Sequence, residues 1–280
     1  MVVTDLDGTL FQRDRRPSPR NLRTLVELGR RGRLRVIATG RNLFSARKVL
    51  SPDFPVDYLL FSSGAGIMDW PAQELLRSVT MGREEVDRAF QALAARRLDF
   101  MVHRPIPENH HFLYYPAGGT NPDFEARIAL YAAFASPGDP QEAPGAACQL
   151  LAVEPAGRRP SAYEALAAEL SGLTVLRSTS PLDGRSCWIE VFSPLASKSQ
   201  AAAWLARERS VDPRRVLAVG NDYNDLDLLE WAATSYLVAG SPGELSARFP
   251  VAASGDDSDF AEAVQRWERG ERGSIGGTGP

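Results

Sequence analysis

With 280 residues, 44% of them hydrophobic, the chain has enough apolar material for one large or two modest globular domains with a sizeable core. No stretch approaches the ~20 apolar residues of a membrane span, and acids interrupt residues 1–10 where a signal peptide needs an apolar run, so a cytoplasmic location away from membranes is expected. A formal charge of −3 argues against nucleic acid as a partner, and Cys148 and Cys187, without CxxC spacing, read as reduced structural thiols.

The first element, "MVVTDLDG", is an apolar run closed by acids and reads as a buried strand. Ser18 and Pro19 then form an N-cap and first-turn pair for a helix that Gly32 stops. The stretch 13–35 holds nine Arg against Asp14 and Glu27; the arginines interrupt the pattern Leu22, Leu25, Val26 on outward positions, so they read as a solvated helix face. "LRVIATGR" and "DYLLFSSGAG" are further strands, separated by an amphipathic stretch at 43–50 on which Lys48 is a surface residue. Beyond residue 76 the texture changes to a helix at 83–96, alternating strands at 99–103 and 111–115, a helix at 123–135, a Pro/Gly-rich turn, the strand "CQLLAVEP", a helix at 161–171 and strands at 173–178 and 186–192. "RVLAVGND" and "SYLVAGSP" resume the first pattern, and "RGERGSIGGTGP" reads as a disordered end.

Apolar runs without alternation, each followed by a helical pattern, predict a doubly wound α/β core whose parallel sheet is covered on both faces. The core is expected from residues 1–76 and 187–265, with an α+β domain inserted at 77–186 and a disordered tail at 266–280. Ligands of such sheets sit at the carboxyl ends of the strands.

Four strand or helix ends carry groups suited to phosphate or metal. Asp5 and Asp7 stand two apart and can point the same way; two such carboxylates repel unless a cation resolves the conflict, as Mg2+ would, although an Asx-type turn closing the strand is the alternative. Thr39, Gly40 and Arg41 place a hydroxyl and free N–H groups at a helix opening, an arrangement that suits phosphate. Lys198 is one of only two lysines among 32 basic residues, which suggests a need for a compact charge beside a carboxylate and a phosphoryl oxygen. In "GNDYND" a glycine turn is followed by Asn221, Asp222, Asn224 and Asp225; helix capping explains one of these but not all four.

In this order the four sites resemble those of the haloacid dehalogenase (HAD) superfamily of phosphotransferases, Cof-type branch, in which a large α/β cap lies between the second and third sites. "DLDGT" is similar to its DxDGT motif, Thr39 to its strand-end Ser/Thr, Lys198 to its Lys, and "GNDYND" to its GDxxND motif. Two positions depart from the family pattern: Asn221 replaces a metal-binding Asp, and Ser63 stands where an Asn often precedes Gly-Ala.

The resemblance implies a Rossmann-like core and a Mg2+-dependent phosphatase acting on a small phosphorylated metabolite, a sugar phosphate for choice. Asp5 would be the nucleophile and Asp7 the general acid and base. Asp5, Asp7 and Asn221 would hold Mg2+, Asp225 would orient the loop or contact the metal through water, and Thr39, Gly40, Lys198 and Asn224 would bind the phosphoryl group; Asp222 matches no metal position. Arg41 and, in the cap, Arg104, His110, His111 and Tyr114 are candidates for substrate selectivity. His103, His110 and His111 lack zinc spacing and read as solvent-facing or capping residues. "SSGAG" and "AGG" fail as dinucleotide fingerprints. The alternatives are a phosphomutase and a weakly active phospholigand-binding protein, the latter because Asn221 lowers the charge of the metal site; a monomer or weak homodimer is expected.

Overall fold

The computed structural model describes residues 1–11, 16–158 and 160–270. The chain divides into two compact units, one formed by Met1–Arg77 with Lys198–Pro280, the other by Ser78–Ser197.

The first unit runs β1 (Val2–Thr4), α1 (Pro19–Arg30), β2 (Arg35–Ala38), α2 (Leu43–Ala46), β3 (Tyr58–Phe61), β4 (Gly66–Asp69) and β5 (Glu74–Ser78). The second unit contains α3 (Arg83–Ala95), β6 (Asp99–His103), β7 (Phe112–Tyr115), α4 (Pro122–Leu130), β8 (Ala135–Pro137), β9 (Gln149–Glu154), α5 (Tyr163–Glu169), β10 (Thr174–Thr179) and β11 (Cys187–Phe192). The first unit then resumes with α6 (Lys198–Glu208), β12 (Leu217–Gly220), α7 (Leu226–Trp231), β13 (Thr234–Val238), α8 (Gly243–Ser246), β14 (Val251–Ala252) and α9 (Asp259–Glu268).

The first unit's sheet has eight strands in the order β14-β13-β12-β1-β2-β3-β4-β5. From β14 to β3 neighbours are parallel, and the chain reverses at β4, which pairs antiparallel with β3. The doubly wound parallel core is as expected; the antiparallel extension is not, because residues 66–78 alternate too weakly to announce a hairpin. A tight fit holds it: a Cβ on Gly66 would lie 2.1 Å from the Phe61 ring, its partner in the β3–β4 register. Val3, Val36, Ala38 and Leu60 share one core with Ala201, Leu205, Leu228 and Leu229 of α6 and α7. The residues alternating to the other face, Val2, Ile37 and Leu59, are equally buried. α1 and α9 pack on each other, α1 also touching β2 and α9 touching β12, β13 and β14.

Helix α1 begins as its sequence predicts, with Ser18 Oγ accepting the Asn21 N–H at 3.1 Å and Gly32 past the end at φ +66°. Its arginines do more than meet solvent: Arg20 and Arg31 pair with Glu262 and Glu268 of α9 at 3.3 and 2.9 Å. Arg13 and Arg15 lie outside the described residues. Lys48 is exposed, 4.2 Å over the Phe44 ring, consistent with a surface role.

The second unit's sheet has the order β10-β11-β9-β6-β7-β8, all antiparallel except β7 with β8. α3 and α5 cover one face through Val86, Phe90, Leu93 and Leu166, against Phe100, Val102, Leu150, Ala152, Ile189 and Val191. Three expectations need correction. The resumption of the core at 187 is too early, because Cys187–Phe192 is a full partner of β9 and β10 in the second unit's sheet. The helix expected through 135 ends at Leu130, since Ala135 pairs with Phe112 as edge strand β8. The disordered tail cannot start at 266, because α9 runs to Glu268; residues 271–280 lie outside the described residues.

The second unit also holds the cap candidates. Arg104 is exposed and pairs with Glu108 at 3.4 Å, while the His110 and His111 rings lie tilted to each other, centroids 4.4 Å apart, and edge-on to Phe134. Tyr114 sits in strand β7, within the stretch expected as a strand, and packs on Phe124. His103 is not solvent-facing: it is 2% exposed, its Nδ1 bonded to the Asn109 carbonyl at 2.9 Å. Both cysteines are free thiols. Among the described residues no helix is long and apolar enough to cross a membrane.

Candidate active site

The site lies at the carboxyl ends of β1, β2 and β12 and at the start of α6, all within the first unit. β1 pairs with β12 through its last residue, Thr4 beside Val219, and Asp5 continues the ladder by donating its N–H to the Val219 carbonyl at 2.8 Å. This brings "DLDGT" beside "GNDYND", more than two hundred residues away in sequence.

At its centre is Lys198, the first residue of α6, with no solvent exposure. Its Nζ donates to Asp5 Oδ1 at 2.7 Å and to Asp225 Oδ1 at 2.5 Å. Burial alone would disfavour its charge, but Asp225 and Asp5 outweigh that cost and hold its pKa above the ordinary range. Burial pushes the Asp5 carboxyl up to about 7, opposed by Lys198 and reinforced by Asp225 and Asp7. The other Asp5 oxygen, Oδ2, bonds to no described residue.

Asp225 serves the site at one remove. Its Oδ2 accepts the N–H groups of Asn221 and Asp222 at 2.9 and 3.2 Å while Oδ1 takes Lys198. A Cβ on Gly220 would fall 2.6 Å from Asp225 Cβ, so the glycine is what lets Asp225 fold back beneath the strand end. With its oxygens so engaged, Asp225 anchors the loop and the lysine, one of the two roles expected of it.

Asn221 is held from the other side. The Thr9 hydroxyl donates to its Oδ1 at 3.1 Å, and a Cβ on Gly8 would lie 2.8 Å from its Nδ2. Gly8 also has φ +79°, so this turn requires glycine twice over, for backbone conformation and for close approach. Asp222 precedes a short 3-10 turn, Tyr223–Asp225, and gives its N–H to Asp225 Oδ2 at 3.2 Å.

At the end of β2, Thr39 is 2% exposed and its Oγ1 accepts the Arg41 N–H at 3.1 Å. Arg41 grips Asp7 bidentately, Nε and Nη2 each 2.6 Å from a carboxylate oxygen. Its expected role in substrate selectivity thus gives way to an ion pair with the second aspartate. Asn224 brings its amide to Gly40: a Cβ there would be 3.6 Å from Nδ2.

Two residues escaped the reading of the sequence. Asp227 accepts the Ser199 N–H at 2.9 Å and so caps the start of α6 beside Lys198. Its signal, one more acid after "GNDYND", gave no hint of a partner 28 residues away. Thr9 was legible only as part of "DLDGT". Arg104, His110, His111 and Tyr114 belong to the second unit and are not among the side chains gathered here.

The donors fit Mg2+. Three carboxyl groups, those of Asp5, Asp7 and Asp225, converge here with only two cations, Lys198 and Arg41, against them. The available atoms are hard oxygens: Asp5 Oδ2, the Asp7 carbonyl and Asn221 Oδ1. Among the described residues no set of three His, Cys, Asp or Glu could cage a metal. Mg2+ needs no such cage, since it keeps several waters and typically takes one or two carboxylates.

Paired aspartates after the first strand, an anchored lysine and a parallel sheet interrupted by an inserted α+β domain define a class: hydrolases with a Rossmann-like core and a cap-type insertion. The chain belongs to the haloacid dehalogenase-like hydrolase family, whose profile matches residues 2–253. A phosphoglycolate phosphatase of Methanoculleus marisnigri is 36% identical over 80 residues, 28% of this chain and 34% of that protein, so the match spans about a third of the relative. Solved structures share the fold along nearly the whole chain. A phosphatase of the haloalkanoate (HAD) enzyme superfamily from Bacteroides thetaiotaomicron is 18% identical with a TM-score of 0.74, covering 95% of this chain and 94% of that one. A HAD subclass IIB sugar phosphatase is 15% identical with a TM-score of 0.72 over 95% and 98%, and a haloacid dehalogenase-like hydrolase from B. subtilis is 19% identical with a TM-score of 0.72 over 94% and 98%.

Proposed function

We propose that the chain is a Mg2+-dependent phosphatase that hydrolyses a small phosphorylated metabolite, a sugar phosphate in the first instance, through an aspartyl-phosphate. The observation that carries this reading is Lys198 clamped between Asp5 and Asp225 at the strand ends, with Arg41-bound Asp7 beside them. The phosphatase activities of the relatives support the substrate class, and sugar is the class named for one structural neighbour.

In the proposed reaction Asp5 attacks phosphorus, the bond to the leaving oxygen breaks, and Asp7 supplies that oxygen's proton. A water then attacks the aspartyl-phosphate, gives its proton to Asp7, and frees Asp5 and inorganic phosphate. Thr39, Lys198, the Gly40 N–H and Asn224 bind the phosphoryl oxygens and stabilise the charge that spreads over them in the transition state. Arg41 fixes the direction of Asp7 through its two hydrogen bonds to the carboxylate. Mg2+ bound by Asp5, the Asp7 carbonyl and Asn221 would neutralise charge between the two anions and orient the phosphoryl group. The enzyme is expected in the cytoplasm, as a monomer or weak homodimer, with selectivity set by the inserted domain.

The test is hydrolysis of an aryl phosphate and of a panel of sugar phosphates, with and without Mg2+, by the wild type and by Asp5→Asn. The variant is expected to lose turnover while still binding phosphate. Equal rates for the two proteins would remove Asp5 as nucleophile; phosphoryl return to a second sugar position would indicate a mutase, and binding without turnover a phospholigand-binding protein.

A further inference from the structure

The loop after β3 carries a hydroxyl that the proposed reaction leaves unused. Ser62 and Ser63 have φ of 50° and 51°, the left-handed region that residues with a Cβ enter only at an energetic cost. Their backbone N–H groups grip the neighbouring turn: Ser62 donates to the Arg41 carbonyl at 2.8 Å and Ser63 to the Thr39 carbonyl at 3.0 Å. Ser63 is 0% exposed, yet its Oγ bonds to no described residue. A buried hydroxyl without a partner is destabilising, and here it is held by a strained backbone.

Its location suggests what it is held for. The position that a Cβ would take on Gly40 lies 3.7 Å from Ser63 Oγ and 3.6 Å from Asn224 Nδ2, and Gly40 itself is exposed. The hydroxyl and the amide therefore flank the same space above Gly40, next to Thr39. We infer that Ser63 is a further phosphoryl-binding residue, whose Oγ–H donates to a non-bridging oxygen of a phosphoryl group held above Gly40, opposite the Asn224 amide. This rests on the phosphatase reading above. It also gives a purpose to the departure at this position, because a serine hydroxyl is short enough to lie beside Gly40 without filling the space.

The experiment compares the full-length wild type, Ser63→Ala and Ser63→Gly by calorimetric titration with orthophosphate at constant MgCl2, by thermal unfolding without phosphate, and by aryl phosphate kinetics. Loss of a hydrogen bond to a charged oxygen should weaken orthophosphate binding about tenfold in both variants and raise KM by a similar factor, with less effect on kcat. Without phosphate, Ser63→Ala should unfold at or above the wild-type Tm, since an unpaired buried hydroxyl is removed, and Ser63→Gly higher than Ser63→Ala, since left-handed strain is also relieved. A lower Tm for Ser63→Ala would mean a structural partner and would overturn the assignment, as would orthophosphate affinity within about twofold of wild type. If the wild type itself neither binds orthophosphate nor turns over aryl phosphate, the phosphatase reading fails and this inference with it; intact binding by wild type and Ser63→Ala alike removes Ser63 alone.

Discussion

Lys198 lies at zero exposure between Asp5 and Asp225, and the consequences of that burial extend to each neighbour. A buried cation is tolerable only when its partners are close and themselves held, which is why both Asp225 oxygens are engaged. Asn221 is the residue where charge was traded away. Its amide is held by Thr9 and Gly8, so replacement by the nearly isosteric aspartate should keep the loop in place while adding a full negative charge to the oxygen donors. Asn221→Asp is expected to bind Mg2+ about tenfold more tightly by calorimetric titration, with an unchanged circular dichroism spectrum. Weaker binding would show that the amide N–H, set against Gly8, is what the site requires. Asp5, Asp7, Thr39 and Lys198 were legible from residue type and position at strand or helix ends. The Arg41–Asp7 pair was not, because an arginine two residues after Thr39 could as well have faced a substrate.

At the scale of the elements, the site depends on two glycine turns at the ends of β1 and β12. Gly220→Ala would press a Cβ to 2.6 Å from Asp225 Cβ, against side-chain atoms fixed by Lys198 and two N–H groups, so the chain must move and not merely rotate a flexible end. The expected cost is roughly 1–3 kcal/mol in urea unfolding, with loss of most turnover. Gly32→Ala is the control: φ is +66° there but nothing lies within 4 Å, so about 1 kcal/mol of left-handed strain is expected with turnover unchanged. Equal effects of the two substitutions on turnover would mean that Asp225 can shift without harm. The central parallel strands were legible because both of their faces are apolar. β8, β4 and β5 were not, since an edge strand can be short and mixed in character and is defined by its neighbour: Ala135 is a strand residue because Phe112 stands beside it.

For the whole molecule, the inserted unit carries its own pH liability. His103 is buried, its pKa lowered to about 3 by burial, with Arg127 adding to the effect against the Asn109 carbonyl bond. In the folded chain it is neutral; unfolded, it takes a proton below about 6.5. Its contribution is therefore complete above that pH and is lost as pH falls toward 3, at about 1.4 kcal/mol per unit, or about 2 kcal/mol at pH 5. Urea unfolding of the full chain at pH 7 and pH 5 should show wild type losing about that much more than His103→Gln; equal losses would place the histidine in contact with water. By itself the sequence determined the class of core, the presence of an insertion and the four groups of reactive side chains. These rest on local properties: the apolar periodicity of a strand, the conformational freedom of a glycine, the chemistry of an acid or a lysine at an element's end. Tertiary structure decided where the inserted unit closes, with β11 completing its sheet, and how the reactive groups are used. Whether a carboxylate meets a lysine, an arginine, a backbone N–H or a metal depends on what the fold sets within 3 Å of it, and those partners come from segments far apart in the chain.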